Sequence, residues 1–263
     1  MLKKFVYTTA LLTLLGCATS PTGRNQVLLY SDSQLSEMGA QAFNGMKDSI
    51  QISNKAVENE YVQCVARPII AQVSPEVFSG QWEIVVFDDP QVNAFALPGG
   101  KIGVYTGLLQ VAENQHQLAA VIGHEVGHVI AQHGNERMSQ STIISIGSQA
   151  VGQIMAANEV ANSGPIMAAI GLGVQVGVQL PFSRTHESEA DEIGLTLMAQ
   201  AGFAPQEAIK LWENMEAASG GQRQPELLST HPAPQTRIAA LTALLPEAQS
   251  IAQQQTQKPK CRS

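Results

Sequence analysis

Val121-Ile122-Gly123-His124-Glu125-Val126-Gly127-His128-Val129-Ile130 is the stretch from which the rest of the chain can be read. It sets H-E-x-x-H inside an apolar, helix-forming run. Residues four apart on a helix share a face, so His124 and His128 can each offer an imidazole nitrogen to one Zn²⁺. Glu125, beside the first of them, can reach a water at that metal and act as its general base. Leu118, Val121, Ile122, Val126, Val129 and Ile130 follow helical spacing and predict a buried face. Asn114 with Gln117 three residues on is a capping-box-like start, and Gly134 is the expected C-cap. His133 and His116 fall about 140° and about 80° from the ligand positions at ~100° per residue, and read as ordinary helix histidines.

Two histidines leave a tetrahedral zinc short of a third protein donor, with the fourth place open for water. Phe182-Ser183-Arg184-Thr185-His186-Glu187-Ser188-Glu189-Ala190-Asp191 opens a later helix that can supply it. Glu187 and Asp191 are four apart and share a face, while Glu189 points elsewhere. In such an E-x-x-x-D arrangement the Glu can ligate zinc. The Asp can accept a hydrogen bond from a ligand His, which fixes the imidazole's tautomer and orientation. His186 is a rival for the ligand place; Glu187 is favoured because two His and one Glu make a catalytic zinc set. A closed structural zinc site is the competing reading. It fits poorly, since such sites prefer Cys-rich ligands and have no use for Glu125.

The N-terminus has the form of a secretory leader. Lys3 and Lys4 make a charged region, Phe5 to Leu15 a short apolar one, and Leu14-Leu15-Gly16-Cys17 a lipobox-like cleavage site. The expected organisation is a lipoprotein signal at 1–16, a polar tether at 17–32, a zinc metallopeptidase domain at 33–245 and a Gln-rich, frayed tail at 246–263. Lipid on Cys17 would anchor the chain in the periplasm, and Ala18 rather than Asp after the Cys favours the outer membrane. The formal charge of −7 would become −9 without the two leader lysines, which argues against nucleic acid as a partner. The composition, 44% hydrophobic and 14% charged, is that of a chain able to bury a core. Of three Cys, Cys17 belongs to the lipobox; Cys64 and Cys261 either pair in an oxidising compartment or remain separate thiols.

Helices are expected at about 33–49 and 55–73. Strands follow at 82–87, 92–97 and 101–105, the last two joined as a hairpin by Pro98-Gly99-Gly100, with a short helix from Gly107. A small sheet just ahead of the motif helix is either a substrate-binding edge or a plain structural hairpin. Between Arg137 and Arg184 the only charge is Glu159. This small-residue stretch predicts two helices, about 139–157 and 165–179, either packed closely on each other or forming a mobile apolar flap. Further helices are expected from 186 to about 200, over 205–218 and over 236–245.

Asn93-Ala-Phe-Ala-Leu-Pro-Gly-Gly-Lys-Ile, Gly107-Leu-Leu, His124-Glu-Val-Gly-His, Glu187-Ser-Glu-Ala-Asp191 and His231-Pro with Arg237-Ile together resemble the HtpX / CAAX-prenyl-protease family of gluzincin metallopeptidases, in its soluble bacterial lipoprotein branch. The resemblance spans residues 30 to 245. It implies an α+β, mostly helical, zincin-like metallopeptidase domain with a small antiparallel sheet beside the H-E-x-x-H helix. It also implies one Zn²⁺ per chain on His124, His128 and Glu187, with Glu125 as catalytic base and Asp191 behind a ligand His. Asn93, Ala94, Phe95 and Ala96 would form the substrate-binding edge strand. His231 would approach the zinc from across the cleft, there to stabilise an oxyanion or to occupy the fourth zinc position at rest. The expected function is hydrolysis of misfolded or misassembled envelope proteins; the alternative is a chaperone-like assembly factor for outer-membrane proteins with little proteolysis.

Overall fold

The computed structural model describes residues 17–175, 179–219, Leu227, His231 and 235–262. The leader read at 1–16, Gly220-Gly221, Ser229-Thr230 and Pro232 lie outside the described residues. In chain order the elements are β1 (Cys17–Thr19), β2 (Asn25–Val27), α1 (Asp32–Ser49), α2 (Ala56–Ile70), β3 (Glu83–Phe87), β4 (Ala94–Leu97) and β5 (Lys101–Tyr105). They continue as α3 (Leu108–Val111), α4 (Gln115–Ile130), α5 (His133–Ala157), α6 (Ser163–Val174), α7 (Leu180–Gln200), α8 (Glu207–Ser219) and α9 (Gln235–Gln254). The expected α+β, mostly helical class holds. Two compact units form, one from Met1–Ser31 with Gln132–Glu187, the other from Asp32–Ala131 with Ser188–Ser263. The division falls inside α7.

In the second unit the three strands take the order β3-β5-β4. The sheet is mixed rather than the antiparallel one expected, because the β4–β5 hairpin returns β5 to the centre alongside β3: β5 pairs in parallel with β3 and antiparallel with β4, Ala94 facing Val104 and Leu97 facing Lys101. The central strand is the most buried, from Ile102 through Tyr105. Gly99 and Gly100, at φ 82° and 70°, turn β4 into β5 through left-handed backbone that side chains avoid. On one side of the sheet Phe43, Phe87, Phe95 and Tyr105 stack edge to face, with Phe43 and Phe87 fully buried.

The remaining core joins α2, α4, α8 and the C-terminal half of α7 through Val65, Ile69, Leu118, Ile122, Met198, Leu211 and Met215. Asn114 caps α4, its Oδ1 accepting the N–H groups of His116 (2.9 Å) and Gln117 (3.1 Å). The capping-box partner is shifted by one residue: Gln117 Oε1 takes the N–H of Glu113 at 2.9 Å. Gln117 is fully buried and also donates to Glu207 (3.1 Å), which ties α4 to α8.

Several expected boundaries move. α4 ends at Ile130, and Gly134 is not its cap: Gln132 adopts the left-handed conformation (φ 53°) and α5 restarts at His133. α7 begins at Leu180 rather than at 186, since Pro181 is tolerated in a first helical turn. The last helix runs through Pro246 to Gln254, and the tail is held rather than frayed. Ala248 and Ala252 are buried, Cys261 is bonded to Cys64, and Gln115 exchanges hydrogen bonds with the Pro259 carbonyl (2.9 Å) and the Cys261 N–H (2.7 Å). The paired alternative for the two cysteines is the one realised.

In the first unit, the stretch read as a tether forms a hairpin, Cys17 facing Val27 and Thr19 facing Asn25. α5 and α6 pack on each other but leave Ile143, Ile146, Ile154 and Leu172 48–64% exposed. The break between them falls at Glu159 and Asn162, both left-handed, within the gap expected between 157 and 165. Among the described residues no helix is long and apolar enough to cross a membrane.

Candidate metal centre

His124 and His128 project from α4 on one face, and their Nε2 atoms lie 3.0 Å apart. Both are buried, as is Glu125 between them. Glycines let a second helix approach this one closely. A Cβ on Gly194 would stand 2.6 Å from the His124 nitrogen, and a Cβ on Gly123 or Gly127 would meet the Gly194 or Ala190 carbonyl at 2.7 and 2.8 Å. With only hydrogen there, the helix backbones touch and Asp191 arrives beside His124.

Asp191 Oδ1 accepts from His124 Nδ1 at 3.0 Å. That contact assigns the proton to Nδ1 and leaves the Nε2 lone pair for a metal. Arg237, from the start of α9, grips the same carboxylate through Nε (2.5 Å) and Nη2 (2.7 Å). Its guanidinium lies 4.1 Å over the Trp212 ring. Burial alone would push the Asp191 carboxyl up; the hydrogen bonds and charges of Arg237 and His124 outweigh it and hold the group below its usual range.

Glu187 lies one helical turn before Asp191 on α7. Its carboxylate joins His124, His128 and His231 in a group whose ligand atoms all lie within 4.8 Å of one another. His231 is half-buried, with Nδ1 3.3 Å from His124 Nε2 and Nε2 3.5 Å from Glu125 Oε1. Its backbone is held on both sides: its N–H reaches the Leu227 carbonyl (2.8 Å), and its carbonyl accepts from Arg237 Nη1 (3.3 Å). Glu125 Oε1 is buried with no hydrogen-bond partner.

The rival ligand His186 points away from this group, with Nε2 3.0 Å from Glu136 and its ring stacked on His133 at 4.1 Å. His133, expected to be ordinary, is fully buried. Ala94 to Ala96 lie in β4, an edge strand of the three-stranded sheet packed against α4, and Asn93 just precedes it, its carbonyl accepting from Tyr105 N–H at 3.1 Å. Phe95 turns its ring into the aromatic cluster, and Ala94 is buried, while Asn93 and Ala96 stay partly exposed. Sequence reasoning gave Arg237 no role and passed over Gly194; the signals were there, in a lone Arg six residues beyond His231 and a small residue one turn after Ala190.

An H-E-x-x-H helix, a small sheet beside it and a carboxylate from a later helix define a zincin-like metallopeptidase domain. Residues 56–245 match the model of peptidase family M48, and the chain belongs to that family. It is 40% identical over 190 residues to "Mitochondrial metalloendopeptidase OMA1" of Schizosaccharomyces pombe, covering 72% of this chain and 53% of that protein. It is 33% identical over 250 residues to "Metalloendopeptidase OMA1, mitochondrial" of Bos taurus, covering 88% and 46%. With the "Beta-barrel assembly-enhancing protease" of Escherichia coli it shares 27% identity over 211 residues, covering 77% and 42%. The chain thus spans about half the length of the curated relatives it matches.

Proposed function

We propose that this chain is a zinc-dependent endopeptidase of the bacterial cell envelope that hydrolyses peptide bonds of misfolded or misassembled envelope proteins. The observation that carries the reading is the convergence of His124, His128, Glu187 and His231 beside the buried Glu125 carboxylate, whose Oε1 makes no hydrogen bond. Zinc–nitrogen bonds of ~2.0–2.1 Å in a tetrahedron put ligand atoms about 3.3 Å apart. The nitrogen spacings of 3.0 and 3.3 Å suit an ion of that size.

When bound, zinc polarises the scissile carbonyl and lowers the pKa of its water toward neutrality. Glu125 takes the water's proton and returns it to the leaving amine. Asp191 keeps His124 in the tautomer that ligates, with Arg237 fixing Asp191 in turn. His231 donates a hydrogen bond to the oxyanion, or serves as the fourth donor while no substrate is present. The edge strand β4, with the Asn93 to Ala96 stretch, adds an extended substrate as a further strand through main-chain hydrogen bonds.

The leader ending at Cys17 supports an envelope address with a lipid anchor at the outer membrane. The Escherichia coli relative is named for β-barrel assembly, while the OMA1 relatives are named as mitochondrial, so the address rests on the leader. The Cys64–Cys261 bond suits an oxidising compartment. The test is Glu125→Gln: it should retain one zinc per chain by elemental analysis and cleave an unfolded outer-membrane protein orders of magnitude more slowly. Undiminished cleavage would sink the mechanism.

A second reading, a chaperone-like assembly factor with little proteolysis, is favoured by the exposed Ile143, Ile146, Ile154 and Leu172 of α5 and α6. It would gain if Glu125→Gln fully rescued a deletion strain while replacing those four residues by Ser did not.

A further inference from the structure

A second buried network lies in the first unit, built from groups the proposed chemistry leaves idle. Glu136 is 3% exposed. Arg24 grips it with two hydrogen bonds, Nη1 to Oε1 at 2.6 Å and Nη2 to Oε2 at 2.7 Å. Gln26 Nε2 donates to Oε2 at 2.8 Å, and His186 Nε2 approaches the same oxygen at 3.0 Å. Gln26 and His186 are themselves 3% and 2% exposed, and His133 seals the far face of the His186 ring.

The donors come from the N-terminal hairpin, Arg24 from its turn and Gln26 from β2. The acceptor is on α5, and His186 immediately precedes Glu187 on α7. The chain after the hairpin is stitched down as well: Leu29 N–H bonds Ser139 Oγ (2.8 Å), Tyr30 carbonyl accepts from Asn135 (2.8 Å), and the Tyr30 hydroxyl meets Thr142 (2.8 Å).

We propose that the N-terminal hairpin is a positioning element of the metal centre, in which Arg24 and Gln26 hold Glu136 as a fixed acceptor for His186 and thereby set the turn of α7 that presents Glu187. The inference rests on Glu187 being a metal ligand. A buried carboxylate stays put only while its donors do; with Arg24 gone, an uncompensated charge is left inside. Glu136 then turns toward solvent or takes up a proton, and His186 loses its anchor. Helical residues rotate together, so a His186 freed to turn carries Glu187 with it. A ligand must be held to within about 0.5 Å, and groups that orient metal ligands typically contribute ~10–100-fold in affinity. Arg24, Gln26, Glu136 and His186 are on this account positioning residues that never touch substrate or metal.

The experiment measures zinc affinity of the full-length protein by competition with a chromophoric chelator, and records the visible spectrum of the Co²⁺-substituted form. Arg24→Met should bind zinc ~10–100-fold more weakly and shift the Co²⁺ bands. Arg24→Lys, which keeps the charge but loses the fork, should recover part of the loss. Tyr30→Phe loosens the same segment without touching Glu136 and should leave affinity and spectrum unchanged. If Arg24→Met does not fold, Gln26→Leu removes one donor to Glu136 and should weaken zinc binding by a smaller factor. A folded Arg24→Met or Gln26→Leu with wild-type affinity and spectrum overturns the inference while the metal reading stands. Tyr30→Phe weakening zinc as much as Arg24→Met would also overturn it, since any loosening of the segment would then suffice. Wild-type protein that binds no zinc overturns the metal reading itself.

Discussion

Asp191 and His124 form a buried pair, Oδ1 to Nδ1 at 3.0 Å, with side chains 7% and 6% exposed. The carboxylate also accepts two hydrogen bonds from Arg237, so one side chain fixes a ligand tautomer and pairs with a buried guanidinium. Asp191→Asn keeps the shape but loses the charge. It should weaken zinc binding ~10–100-fold and destabilise the apoprotein by roughly 3–5 kcal/mol, because a buried ion pair is broken from one side. Chelator competition and denaturant titration read the two effects separately. Wild-type zinc affinity in this variant would remove Asp191 from the site.

Gly194→Ala tests the helix crossing. The added methyl would meet backbone of α4 2.6–2.8 Å away, at Gly123 and His124, and backbone cannot swing aside as a side chain can. A cost of about 1–3 kcal/mol is expected. Because the clash sits against the His124 backbone, zinc affinity should fall with it while far-ultraviolet circular dichroism barely changes. An unaltered affinity would mean the crossing has slack.

The Cys64–Cys261 bond closes a loop of sequence separation 197. In the chain-entropy account a cross-link of that span contributes about 5 kcal/mol. Cys64→Ser should therefore lower the midpoint of urea unfolding markedly and expose 255–262 to proteolysis. A midpoint within error of wild type would show that the buried Ala248 and Ala252 hold the tail unaided.

His116 gives a pH dependence away from the metal. Burial holds its imidazole below the ordinary 6.5, partly opposed by Glu207. Its Nδ1 accepts the Ala204 N–H at 3.2 Å, a bond only the neutral ring can make. A histidine whose folded pKa is depressed contributes stability above its unfolded pKa. That contribution drains away as pH falls from about 6.5 toward the folded value. A proton-resonance titration of His116 in the folded protein should give a midpoint below 6.5; one above it would contradict the burial argument.

Much of this was written in the sequence, and the exceptions have physical reasons. H-E-x-x-H and E-x-x-x-D announce themselves because helical spacing alone puts their members on one face. Strand alternation likewise gave β3, β4 and β5, and the Gly99-Gly100 turn gave the hairpin. What short-range pattern does not carry is the partner of a buried charge. Arg24, Glu136 and His186 are separated by 112 and 50 residues, and nothing local marks them as neighbours. Arg237 reaches Asp191 across 46 residues in the same way. The tail misled because Gln-rich composition reads as solvated, whereas its few Ala, Ile and Cys residues do the packing. The last helix runs on past the expected 245, through Pro246, because a helix packed along one side tolerates one missing hydrogen bond.

The Cys64–Cys261 bond also makes most of the chain a covalent ring that contains every residue of the metal group. A single cut anywhere between 65 and 260 opens the ring without releasing a fragment. A protease that nicks itself in its charge-poor helices would persist as a two-chain molecule, one band on a non-reducing gel and two after thiol treatment. Damage from self-digestion would thus be registered without the pieces drifting apart.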